Sequence, residues 1–536
     1  MKQLTIILSC LLTAMLLGSC KKEFLEEKPK DATYAENLYT NYDGFRLAVN
    51  ALLDFPRQER ADMVQSAEIG GLWKIGVDNG WANAELSWTR GFSKYSVDLN
   101  SEAQFLNRGT DGRDGIFLIL YRAINSANMI IGRAANPDVD WQGSTPAESE
   151  AKKNLILGHA YLIRAWAYRH LVFSFGPVPI STEEINGSTF RNDWERNSIA
   201  EVQDLIISDL RLAEQYLPDN SLNVLELSRA VAQHYLAEIY LWKGENAKAE
   251  EEALKVANNP NYKLITARYG VKSSLPGNPF MDQFLDGNIL PREGNTEALW
   301  VFQNSDVIDY LGARANSMRR SWVVNYSSFA PYTPENGGRG IGRYSITSWG
   351  LSIYEPQDDR FSEFAIKKSY VSTSGVVTFT QSDPANMKIN NNRWASTRKW
   401  DWTYADPSLW NATHSFAPQT YLRLADTYLL LAEALMKQGR TTEAAEWINK
   451  VRRRSHASEI NAQQVTLDFI LDERSRELVT EELRRETLVR TNKLVERTRA
   501  HNPLAVNIQE HHVLFPIPQY VIDANTERPM AQNPGY

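Results

Sequence analysis

Four consecutive residues, Asp78-Asn79-Gly80-Trp81, set a carboxylate and a carboxamide beside an indole. A flat indole covers the apolar C–H face of a sugar ring while its N–H still reaches a polar partner, and Asp, Asn, Gln or Arg alongside takes up the ring hydroxyls. The chain has 15 Trp. Trp73, Trp81 and Trp88 fall between residues 64 and 110. Trp300, Trp322, Trp349, Trp394, Trp400, Trp402 and Trp410 fall between 261 and 414. Neither stretch carries a helical pattern, and loops run over the surface, so indoles there need a reason. They either stack on a ligand or fill a small core beneath the loops. Trp81 is the first ligand-binding candidate, with Asp78 and Asn79 beside it. Trp73, Trp322, Trp349 and Trp400 follow, the last three each near Arg or Asn. Trp166, Trp242 and Trp447 sit in helical periodicity and read as core.

Catalytic signatures are missing. The sequence has no His-Glu-x-x-His, no Gly-x-Ser-x-Gly and no Gly-x-x-x-x-Gly-Lys-Ser/Thr. Gly337-Gly338-Arg339-Gly340-Ile341-Gly342 superficially resembles a phosphate loop but lacks the strand-loop-helix context, and it reads as a mobile loop. Asn136, Asp138 and Asp140 alternate as in a calcium loop, yet the required Gly and terminal Glu are misplaced, so a helix end before Pro137 is the better reading. His511-His512 reads as a solvated loop near the tail rather than a metal site. No metal, no cofactor and no enzymatic activity are expected.

The chain has two cysteines, Cys10 and Cys20. Met1-Lys2, the apolar run from Leu4 to Leu17 and Leu17-Gly18-Ser19-Cys20 have the layout of a secretory signal over residues 1–19, ending in a bacterial lipobox. Cys10 leaves with the signal, so Cys20 is the expected lipidation site, and residues 20–30 read as a charged tether. Several acyl chains on one Cys give stable membrane anchoring. No later apolar run has the length of a transmembrane helix. The formal charge of -7, with signs mixed and no basic block, argues against nucleic acid as a partner.

Behind the candidate residues stand three helical regions. Gly115–Ala135 places Ile116, Ile119, Leu120, Ala123, Ala127 and Ile130 on one face. The second region comprises Glu148–Phe175, Ser198–Leu217 and Ser228–Ala257, where Ser198 with Glu201 fits a capping box and Pro218 follows the helix end. The third runs from Tyr421 to Arg499. Two segments repeat each other. Ala237-Glu238, Gly244, Ala249 and Val256 recur as Ala432-Glu433, Gly439, Ala444 and Val451, each 195 residues later. Small residues let paired helices approach and Gly supplies the turn, the pattern of a tetratricopeptide helix pair that must stack with others. Residues 261–414 are rich in Gly, Pro, Asn and Ser, with short strands expected at Leu299–Phe302 and Gly375–Thr380. The expected fold is mostly α. It is a tetratricopeptide-like repeat scaffold (about 31–63, 111–260 and 415–536) in a single domain over 31–536, with ligand-binding loops at about 64–110 and a large loop-rich insertion at 261–414.

In this order the motifs resemble the SusD/RagB family of nutrient-binding outer-membrane lipoproteins of Bacteroidetes. They include Leu120-Tyr121-Arg122-Ala123-Ile124-Asn125, Ile163-Arg164-Ala165-Trp166, Phe175-Gly176-Pro177-Val178-Pro179 and Tyr354-Glu355-Pro356 with Asp358-Asp359-Arg360. Further on come Leu422-Arg423-Leu424-Ala425-Asp426, Asn449-Lys450-Val451-Arg452, Leu471-Asp472-Glu473-Arg474, Phe515-Pro516-Ile517-Pro518-Gln519 and Asn533-Pro534-Gly535-Tyr536. One block departs from the usual Glu-Gly-x-Arg and Asp-Leu-x-Arg: Glu482 stands for Gly and Thr487 for Asp, both expected on a scaffold helix and marking a subgroup. The resemblance implies four tetratricopeptide-like units and a surface-exposed lipoprotein at the outer membrane. It implies a lid on a TonB-dependent (SusC-like) transporter, an oligosaccharide or polysaccharide ligand held on the loop-rich face, and a structural role for Asp358-Asp359-Arg360. A peptide receptor on the same fold, or a repeat scaffold for protein partners only, are the alternatives.

Overall fold

The computed structural model describes residues 38–536 except 61, 65–66, 83–90, 97–98, 100–114, 221–225, 303–316, 379–393, 402–410 and 412–416. The signal, Cys20, the tether, Trp88, Trp402 and Trp410 lie outside the described residues.

Helix α1 (Tyr42–Leu52) opens where the Asn41 side chain accepts from the Gly44 N–H at 3.0 Å. Helix α2 (Ile116–Arg133) buries Ile116, Ile119, Leu120, Ala123, Ala127 and Ile130, the face its periodicity predicts. Then Asn136 and Asp140 turn the chain, their side chains accepting from the backbone of Asp138 (3.0 Å) and Gln142 (2.8 Å). That is the helix-end reading of this acidic stretch. Helix α3 (Pro146–Phe175), capped by Thr145 with Pro146 in its first turn, is buried on all sides from Gly158 to Phe175. A helix apolar or paired all round belongs in the centre of a stack. Helix α4 (Ile199–Tyr216) begins with the expected Ser198–Glu201 capping box.

The repeat is physical. Helices α5 (Arg229–Lys243) and α6 (Asn246–Ala257) form one pair, α7 (Leu424–Lys437) and α8 (Thr441–Arg454) the other. Gly244 and Gly439 turn the chain at φ 80° and 77°, where a side chain is disfavoured. The pairs stack directly, α6 against α7, and Ala237, Ala253, Leu429, Ala432 and Ala444 share one core. Helices α9 (Leu467–Leu478), α10 (Arg484–Arg490) and α11 (Leu494–His501) continue from there.

Strands are short and paired in twos among the described residues. β1 (Gly80–Ala82) pairs antiparallel with β3 (Tyr344–Ile346), and β2 (Ala298–Phe302) with β4 (Gln419–Arg423). The third helical region therefore starts at Leu424, not Tyr421. Tyr421 to Arg423 alternate as a strand against β2 because the chain re-enters the scaffold there.

Candidate ligand-binding face

The two loop-rich stretches meet through β1 and β3. Trp81 faces Ser345 across the ladder, the Thr347 N–H donates to the Asn79 carbonyl (3.1 Å), and the Thr347 hydroxyl donates to the Asp78 carbonyl (2.7 Å). Thr347 also caps the short helix Ser348–Ser352 that carries Trp349. The structure thus brings Asp78, Asn79, Trp81 and Trp349 together. Their surroundings are not those of a sugar platform. Asp78 is fully buried, with both carboxylate oxygens held by Arg484 (2.9 and 2.7 Å) and one also by Arg497 (2.9 Å). Burial pushes its carboxyl up, but the two guanidiniums win and hold it below the usual carboxylate value. The Asn79 carboxamide donates to Ser475 on α9 (2.9 Å).

Trp81 is only 4 % exposed and packs with Ile346, Leu351, Ile366, Trp394 and Val479 in a satellite core under the loops. Its indole N–H meets no acceptor among the described residues. Trp73 and Trp400 are also buried, and their N–H groups are spent on Ser174 and Thr480, both at 2.8 Å. Trp322 is buried in the main core, edge-on to Tyr344. In this conformation none of these four offers a face to a ring. The minicore reading describes them.

Trp349 differs. It is half-buried, and one face stacks on His501 at 4.2 Å with 15° between planes, while Arg497 lies 5.1 Å from the ring centre. Burial and then the Arg497 charge lower the His501 pKa, so a neutral imidazole backs the indole at neutral pH.

This face is clamped to the helices by buried ion pairs that spacing did not reveal. Arg360 pairs with Asp358 (2.8 Å), Glu473 (2.7 Å) and Glu477 (3.1 Å). The Asp358 pair closes a turn, in keeping with the structural role expected of this motif, and Arg360 reaches α9 as well. Arg423 and Arg454 share Glu297 and Glu477, and Lys399 and Arg423 share Glu481. Glu482 lies in the turn before α10 rather than on a helix. It takes Arg474 (2.6 Å), Arg484 (3.2 Å) and the Thr487 hydroxyl (2.7 Å), so the two residues that depart from the family pattern satisfy each other. The glycine loop 337–342 is largely buried and closely packed rather than open to solvent: a Cβ at Gly338 would meet the Arg319 guanidinium at 1.7 Å, and one at Gly340 the Val323 carbonyl at 1.9 Å. His512 is buried too. Its ring accepts from the Gln509 N–H (2.9 Å), and burial, then His511 and Arg485, lower its pKa to about 4.

A larger hollow lies elsewhere, a groove of about 590 Å³ between α2, residues 179–194 and the tail, lined by Phe55, Phe117, Tyr121, Phe190 and Trp194 among others. Tyr121, Asn125 and Asn525 spend hydrogen bonds on the protein's own backbone, so the groove suits apolar groups better than hydroxylated ones. Phe190, 71 % exposed, had no sequence signal beyond its type.

Residues 351–536 match the family described as SusD family, and residues 85–241 match one described as "Starch-binding associating with outer membrane". SusD-like protein P2 of Formosa agariphila is 26 % identical over 437 residues, 78 % of this chain and 79 % of that one. A laminarin-binding SusD-like protein superposes with a TM-score of 0.70 at 20 % identity, covering 93 % of this chain and all of the other. Surface glycan-binding protein A from Bacteroides thetaiotaomicron, in complex with laminarihexaose, superposes with a TM-score of 0.69 at 17 % identity, covering 92 % of this chain and 100 % of that one. The order of motifs, the stacked repeat pairs and these matches agree: residues 351–536 match the SusD family, and the chain as a whole has the fold of SusD-like proteins.

Proposed function

We propose that this chain captures a nutrient oligosaccharide at the cell surface and passes it to a TonB-dependent outer-membrane transporter. SusD-family glycan-binding proteins are non-catalytic, and this chain is a binder, not an enzyme. The glycan assignment is supported by the kinship just described, in which two proteins of the same fold carry laminarin or laminarihexaose in their descriptions. Lipidation at Cys20 would hold the body at the outer membrane, where the matched family description places its members.

The observation that carries the site is Trp349, a half-exposed indole with one face backed by His501 and its helix capped by Thr347. A ring held flat from behind loses little freedom when a sugar covers it. The test is titration calorimetry of laminarihexaose, followed by a glycan array if that oligomer is not the cognate one, on the parent and on Trp349→Ala. A stacking Trp at a binding centre costs about 2 kcal/mol on truncation, so affinity falls at least tenfold. The melting temperature stays close to the parent's. Unchanged affinity for the oligomer that the parent binds removes Trp349 from the site.

A further inference from the structure

Where the second repeat pair meets the segment leaving α6, a cavity of about 460 Å³ opens between Leu264, Thr266, Tyr428, Lys450, Arg453 and His456. Its polar lining is made of donors, and no carboxylate contributes. Most cations at this end of α8 are engaged. Arg454 is buried against Glu297 (2.6 Å) and Glu477, Arg453 pairs with Glu459 (2.7 Å), and the His456 ring meets Asp359 (2.7 Å).

Lys450 is not engaged in this way. Its ammonium lies 3.3 Å from the centre of the Trp447 ring and 5.6 Å from that of Tyr428, and it has no carboxylate partner among the described residues. The Tyr428 side chain is only 7 % exposed, yet its hydroxyl has no hydrogen-bond partner among the described residues, and neither has Thr266. Basic residues in a last helical turn are ordinarily explained by the helix dipole. The dipole does not explain an ammonium laid against two rings beside a phenol that opens into a cavity.

We propose that this cavity binds an oxyanion, a carboxylate or sulfate carried by an acidic saccharide, with Lys450 as its counter-ion and Tyr428 and Thr266 as hydroxyl donors. Arg453 at the rim adds charge but is already shared with Glu459. Burial, and then the Arg453 charge, hold the Lys450 ammonium below its usual pKa against the pull of Glu446, and a bound anion would offset both. Its phenol is on α7, its ammonium on α8 and Thr266 in the segment between α6 and β2, all apart from the short helix that carries Trp349, so it does not rest on how a neutral glycan is held.

Calorimetry on the mature chain, with tri-galacturonate, inorganic sulfate and laminarihexaose as separate probes, tests this. The variants are Lys450→Met, which keeps the stem over Trp447, and Tyr428→Phe, which keeps the ring. Tri-galacturonate should bind the parent, lose at least tenfold in affinity with Lys450→Met and several-fold with Tyr428→Phe, at unchanged melting temperature. Laminarihexaose binding should not respond to either variant. Sulfate bound as tightly as tri-galacturonate would mean an adventitious ion only and overturn the saccharide assignment. Failure of tri-galacturonate to bind, or equal binding by parent and variants, overturns the site.

Discussion

Asp78 and Trp81 stand three residues apart and have opposite needs, one for counter-ions and one for apolar neighbours. Arg484 and Arg497 meet the first need, and Ile346, Leu351, Trp394 and Val479 the second. Cutting Trp81 to Ala would leave a hole in that satellite core, and buried Trp-to-Ala changes cost about 3–5 kcal/mol. Trp81→Ala should therefore lower the melting temperature strongly, whereas Trp349→Ala leaves it nearly in place. Thermal melts of the two variants side by side check this, and equal melting temperatures would reverse the assignment. The sequence showed that these residues belong together, because a carboxylate, a carboxamide and an indole in one tight segment are rarely unrelated. It did not show which way they point. The partners of Asp78 lie some four hundred residues further on, in a block legible only as scaffold, and loop Trp that line a small core have the same spacing as loop Trp that bind.

Helices α2 to α8 were legible because burial on one face imposes a 3.6-residue rhythm, and because Ser198, Gly244 and Gly439 mark ends by local chemistry. The strand at 419–423 was not, since five residues joined to a helix carry too little periodicity to stand apart. Equally hidden was the correspondence between Glu238 and Glu433. These matching residues of the two pairs each take a buried Arg from outside their own pair: Arg169 of α3 for the first, Arg490 of α10 for the second, the latter at 2.6 and 2.7 Å. Burial opposes ionisation at Glu238, Glu433 and Glu473, but the facing guanidiniums prevail and bring each carboxyl down to about 2. Folded values below the ordinary 4.5 mean that this stabilisation is complete above about pH 5 and is lost as pH falls towards 2. Each carboxylate steepens the loss by up to about 1.4 kcal/mol per pH unit within that window. Urea melts from pH 7 to pH 2.5 should show a gentle decline from about pH 6.5, where His501 and His512 take up protons more readily in the unfolded chain, and a much steeper one below about pH 5 as the carboxylates follow. A decline that does not steepen below about pH 5 would contradict the assignment. Buried ion pairs stabilise little against apolar replacements; what these do is join α3 to α5, α7 to α10 and, through Arg360, the insertion to α9.

For the molecule as a whole, the transporter partnership is a prediction for a pull-down. The tagged protein, extracted in mild detergent from cells grown on the inducing glycan, should bring down a large β-barrel protein. Cys20→Ala should lose incorporation of a palmitate analogue. Repeated recovery without a barrel would end the lid reading, and label retained on the variant would end the anchor reading. The insertion leaves the scaffold at β2 and returns at β4, and these two strands lie side by side as an antiparallel pair. Its doorway is closed by hydrogen bonds and flanked by Glu297 and Arg423, which also touch each other. Whatever is threaded between them begins and ends at one spot, so its length and content can be exchanged without parting α6 from α7. A transplant from a relative, cut at Phe302 and Gln419, would test new specificities on the same frame if it brought cations for Glu473, Glu477 and Glu481 and a strand for β1.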